Sequence, residues 1–150
     1  MEESIRTKAP AHLWVVGVLA LLWNGFGAYD YVMTRTKGAD YVESMMPGTG
    51  EAVVAYINSF PMWASFGWGL GVWMGLAGSI LLLMRHRLAV IAFGLSLAGA
   101  ILGIGYQLMR PADIPEMHQG FNAVVPYLVL LIALALYLYS RAQQRKGQLR

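Results

Sequence analysis

The chain has no cysteine, and only 13% of its 150 residues are charged. The first absence excludes disulfides, thiolate metal sites, a thiol nucleophile and thiol redox chemistry. The second argues against an ordinary soluble domain, which would carry about 25% charged residues. Catalytic signatures are missing as well. His12, His86 and His118 fall in separate segments without HxxxH or HExxH spacing, and there is no phosphate loop. The "DIPEMH" run at 113–118 is the nearest approach to a metal site, with two acids and one His. We therefore expect no metal, no cofactor, no catalytic residue and no enzyme. No Lys/Arg patch is interleaved with stacking aromatics, so nucleic acid is not an expected partner.

What is present is apolar sequence: 57% hydrophobic residues and a mean hydropathy of +0.51. A membrane-spanning helix needs about 20 mostly apolar residues. Four stretches qualify, at about 12–33, 61–84, 88–109 and 122–140, which predicts an all-α, four-helix transmembrane bundle forming one integral membrane domain over 1–150. The flank "MEESIRTKAP" carries two acids, and the first apolar run is too long for a signal peptide, so it reads as an uncleaved span.

Lys and Arg give an orientation. Arg6, Lys8, Arg85, Arg87, Arg141, Arg145, Lys146 and Arg150 fall on one side, eight against Arg35, Lys37 and Arg110 on the other. The positive-inside rule then places both termini and the tight "RHR" turn in the cytoplasm of a multi-pass protein.

Small residues recur at helical spacing. Gly67, Gly71, Gly75 and Ser79 form an i, i+4 stripe on the second span; Ser96, Gly99, Gly103 and then Tyr106 or Gln107 lie along one face of the third. Gly17, Ala20, Asn24, Gly27 and Tyr31, spaced 3, 4, 3, 4, lie along one face of the first. Such stripes let backbones approach closely in lipid, where no hydrophobic drive operates between helices. The fourth span lacks glycine and is expected at the bundle edge. Trp23 and Trp73 are expected to fill space beside glycines.

Asn24 lies on the small-residue face, as an interhelical hydrogen bond or as an amide lining a cavity. Asp30 is about 27 Å past His12 along the helix and is expected as a boundary residue near the outer headgroups. With Tyr31, Tyr106, Gln107 and Asn122, these two residues are candidates for a ligand vestibule at the outer mouth. The alternative for the outer groups is an ordinary interfacial belt.

The connection from 34 to 60 holds two apolar helical faces, Tyr41/Val42/Met45/Met46 and Val53/Val54/Ile57/Phe60, separated by the turn signal "PGTG". Two short amphipathic helices are expected, resting on lipid or covering a cavity, with Asn58 and Ser59 as caps for the second span.

Three stretches, "ALLWNGFGAYDY", "FPMWASFGWGLGVWMGLAGSILLLMRHRLAVIAFGLSLAG" and "SRAQQRKGQLR", resemble an uncharacterised family of small four-span bacterial inner-membrane proteins. Some of its members carry a loose sugar-transporter label. The resemblance implies four spans in a bacterial inner (plasma) membrane and leans toward transport. Two functions compete. The first is a non-enzymatic accessory or structural component acting through Gly-rich packing, as a homo-oligomer or within a larger membrane complex. The alternative is a small oligomeric transporter, or a binding protein for an amphiphile (lipid, quinone or sugar) at the outer mouth. The expected partners are the lipid bilayer and, in the second reading, a small-molecule ligand.

Overall fold

A computed structural model describes residues 8–150; Arg6, counted above, lies outside the described residues. The helices are α1 (Ala11–Lys37), α2 (Ala39–Met45), α3 (Gly50–Asn58), α4 (Met62–Leu83), α5 (Leu88–Met109) and α6 (Gly120–Arg145). A 3-10 turn, Pro115–His118, precedes α6. Four of these, α1, α4, α5 and α6, are long and apolar enough to cross a membrane. The "PGTG" run separates α2 from α3, with Gly48 in the left-handed region at φ 84°.

α1 outlasts its apolar stretch, running past residue 33. No helix breaker occurs before Gly38, and the Thr36 hydroxyl donates to the Val32 carbonyl at 2.7 Å. Gly38, at φ 56° and ψ −128°, then turns the chain into α2. α6 likewise exceeds its expected bounds and contains Pro126, which leaves the Asn122 carbonyl without its usual i+4 donor. The capping expectation for α4 is corrected. Its N-cap is Pro61 with no side-chain bond, and Ser59 instead donates to Tyr56 O at the end of α3.

The tightest helix pairing is between α4 and α5, and it explains the glycines. A Cβ on Gly67 would fall within 3.0 Å of Leu102 Cβ and Gly99 O; one on Gly71 would lie 3.1 Å from Ala100 N. A Cβ on Gly103 would lie 3.2 Å from Trp68 N, and Gly99 has no room against the Gly67–Gly71 backbone. Ser96 donates across this seam to Gly71 O at 2.7 Å. α1 docks on the other side of α4. Gly17 accommodates Leu83, and Asn24 Nδ2 donates both to Ala20 O and to Ser79 Oγ at 3.0 Å. Ser79 in turn donates to Gly75 O at 2.8 Å, the backbone against which Asn24 Oδ1 rests. α6 joins α5 through Leu136, Phe93 and the Tyr137 ring over Gly94.

The two ends of the bundle differ. At the turn end, Leu13, Leu82, Ala89, Phe93 and Leu136 form a core contributed by all four spans. His12 Nδ1 and the Tyr139 hydroxyl share a 2.6 Å hydrogen bond that ties α1 to α6. The C-terminal tail completes this end. Leu149 is buried in the same core, Arg87 N donates to Arg150 O, and Arg150 N donates to Arg85 O, both at 2.8 Å. Arg85 sits at φ 57° and directs Nε to Gln148 O. The opposite end is capped by α2, α3 and the 112–117 segment, which share a small core of Val42, Val53, Ala112 and Ile114. Among the described residues the turn end carries seven Lys/Arg and no acid, whereas the cap end carries three Lys/Arg and six Asp/Glu.

Candidate ligand groove

α1 and α6 stand on opposite flanks of the α4–α5 pair, and between their cap-end halves lies a cavity of about 430 Å³. α1 contributes Trp23, Phe26, Gly27 and Asp30, an i, i+3/i+4, i+7 stripe with Asn24 at its edge. α4 and α5 form the back wall, with Trp68, Gly71 and Val72 from the former and Ser96, Ala100, Gly103, Ile104 and Gln107 from the latter. α6 supplies Phe121, Val125, Val129, Ile132 and Ala133. Phe93 and Leu136, members of the turn-end core, close the floor. Val53, Tyr56 and Ile57 of α3, with Phe60 just beyond it and Met117, form the roof. Of the two short helices, α3 covers a cavity, one of the two expectations for them, whereas no α2 residue lines it.

The roof is fastened at several points. The Tyr56 hydroxyl donates to Arg110 O at 2.7 Å, and burial raises the pKa of this phenol. Phe60 lies at 4.9 Å between ring centroids from Tyr106, which also meets Trp63 edge-on. Glu43 accepts from Gly48 N at 2.6 Å and Gly50 N at 3.0 Å, bonds that hold its carboxyl below the ordinary glutamate range. His118 Nε2 lies 2.6 Å from Ala112 O, bracing the 112–117 segment.

At the mouth, the Tyr41 hydroxyl donates to Asp30 Oδ1 at 2.9 Å. Partial burial, together with the bond to this carboxylate, pushes the Tyr41 phenol up to about 12. Tyr41 therefore remains a donor throughout the neutral range, and α2 is pinned to α1. A second cavity of about 350 Å³ lies beside the groove, bounded by Gln107, Met117, His118, Pro126 and Tyr127. Gln107 and Met117 face both spaces.

Of the six vestibule candidates, Asn24, Asp30 and Gln107 reach the groove. Tyr31 does not. It packs on Trp68 at 4.7 Å and Trp73 at 6.0 Å, with its hydroxyl near Gly69. Tyr106 lies among the aromatic rings behind the roof, and Asn122 binds Met46 Sδ and Glu116 O. Gly27 was assigned to helix packing, but a Cβ there would meet nothing within 4 Å, because the residue borders the open groove. Asn24 combines its two readings: its amide bonds Ser79 across the helix interface and it edges the cavity. The aromatic walls Trp23, Phe26, Trp68 and Phe121 were not identified from sequence, although the Trp23–Phe26–Asp30 spacing marks one face of a helix. Among the described residues no three His, Asp or Glu side chains converge as a metal site.

No protein-family model, curated protein or solved structure matches this chain. The functional reading rests on the groove.

Proposed function

We propose that this is a multi-pass membrane protein that retains a single amphiphilic small molecule in the groove between its first and last spans, without chemical conversion. One observation carries this reading: a 430 Å³, mostly apolar cavity at span depth with few polar groups, Ser96 on the back wall, Asn24 at the edge, and Asp30 and Gln107 toward the cap end. Ligand pockets of this kind commonly measure about 300–1,000 Å³ and combine apolar walls with a few placed polar groups. Gln107 and Asp30 supply those groups at the cap end, so the tail of the ligand lies toward Phe93 and its head toward the roof. The accessory reading relied on the glycine stripes, which are occupied within the chain by the α4–α5 seam. One chain walls the groove, so binding requires no second copy.

The Lys/Arg asymmetry supports an orientation with the turn end cytoplasmic and the groove in the outer half of the bilayer. The resemblance to small bacterial inner-membrane proteins supports that location. Native mass spectrometry after mild extraction from the source membrane tests the reading. A stoichiometric small molecule on the single chain is expected. A chain that is always empty, recovered instead with other polypeptides, would restore the accessory role.

A further inference from the structure

Resting on the groove reading, we infer that the preferred occupant is a lipophilic cation, an amine- or onium-bearing amphiphile whose charge sits between Asp30 and the aromatic rings of the walls. The charges on the walls are one-sided. Asp30 is the only ionisable carboxylate among them, and no Lys, Arg or His joins it. Among the described residues Asp30 makes no ion pair; its partner is the neutral Tyr41 hydroxyl, which occupies Oδ1. The other carboxylate oxygen remains available at the mouth.

Toward the roof the lining carries aromatic rings from three elements, Tyr56 on α3, Trp68 on α4 and Phe121 on α6, with Phe26 of α1 one turn below Asp30. Ring faces attract cations through their quadrupole, and aromatic enclosures are a recurrent means of holding quaternary ammonium groups. The molecule already uses this attraction at two cations, Arg35 and Arg141. The Arg35 guanidinium lies 5.0 Å from the Trp68 centroid and 5.6 Å from that of Tyr31, while Arg35 itself is absent from the walls. The cap end also has twice as many acids as basic residues, six against three, so its field favours approach of a cation. A neutral lipid would use the apolar walls but leave the carboxylate without a counter-ion. An anion would meet it directly.

The test uses the full chain in neutral detergent micelles and three probes: tetraphenylphosphonium, the like-shaped anion tetraphenylborate, and uncharged hexadecanol. Binding is read by equilibrium dialysis and by quenching of tryptophan fluorescence. Tetraphenylphosphonium is expected to bind one per chain, at least about 10-fold tighter than tetraphenylborate, a preference of roughly 1.4 kcal/mol. Asp30→Asn, which keeps an acceptor for Tyr41, is expected to weaken the cation about 10-fold and leave hexadecanol unchanged. Unchanged hexadecanol binding also reports that the variant is folded. Equal affinity for the three probes would overturn the cation assignment and leave the groove standing. A cation preference that survives Asp30→Asn would overturn the role of Asp30. Failure of all three probes to bind the wild-type chain would overturn the groove reading itself.

Discussion

The α4–α5 seam and the α1–α6 gap are built from similarly apolar helices in one short chain, yet one closes to backbone contact and the other stays open. Residue size at the facing positions accounts for the difference. Gly67, Gly71, Gly99 and Gly103 let two backbones meet, and Ser96 bonds across them. On the open side, α1 presents Trp23 and Phe26, and α6 offers Phe121 and branched residues with no glycine after Gly120 in the helix. Lipid gives no hydrophobic drive to close such a gap, because tails solvate its walls as well as a neighbouring helix would. The gap is held at its two ends, by the His12–Tyr139 bond and by the roof, rather than along its length.

The sharpest way to break this comparison is to place one bulky residue on each side. Gly99→Leu forces side-chain atoms into the backbone of Gly67 and Gly71, and is expected to destabilise the protein by about 3 kcal/mol or more. Gly27→Leu projects into empty space and should leave the unfolding midpoint within experimental error while abolishing retention of the groove ligand. Thermal unfolding in bicelles, followed by circular dichroism, measures both. Equal losses would mean that the gap is closed in the bilayer.

The turn end offers the next contrast. Leu149 is buried among residues from several spans, so Leu149→Ala is expected to cost about 2 kcal/mol or more, a lower bound drawn from buried Leu truncations. The same truncation at Leu131, which is exposed on the lipid-facing side of α6, should be close to silent. Asn24→Leu, which removes the bond to Ser79, is expected to cost less than Leu149→Ala, about 0.6–2 kcal/mol. Titrating denaturing detergent separates these variants. A loss of ligand without a loss of stability in Asn24→Leu would show that its place at the cavity edge outweighs its hydrogen bond.

The smallest effect is at the roof. Glu43 is held ionised by Gly48 and Gly50, so its contribution is complete above the ordinary glutamate range and declines as pH falls through its lowered folded value. Hydrogen exchange at the Gly48 and Gly50 amides should therefore lose protection on acidification beyond the intrinsic change, and Glu43→Gln should show the weaker protection at every pH. Seam amides near Gly99 should show no such dependence.

Much of the closed side was legible in the sequence. Apolar runs marked the four spans, and i, i+4 glycines identified the surfaces that meet, because close packing demands a particular residue size at particular positions. The apolar faces at Tyr41–Met46 and Val53–Phe60 marked α2 and the roof helix α3 in the same way. The open side was harder to read. A cavity depends on which helices fail to meet, and a tryptophan such as Trp23 looks alike whether it fills a space or lines one. Tyr31 and Tyr106 share the depth of Gln107 but face other directions, so depth alone did not separate wall from periphery. The Tyr41–Asp30 bond and the burial of Leu149 join distant parts of the chain, and no local pattern announces either.

The return of the tail to the Arg85 turn also sets an order of events during synthesis. Gln148 lies 63 residues after Arg85, with the whole of α5 and α6 between them. At about 5–20 residues per second, the ribosome needs roughly 3–13 seconds to make that stretch. The segment that locks the α4–α5 turn is therefore made only after both helices of that hairpin and after α6.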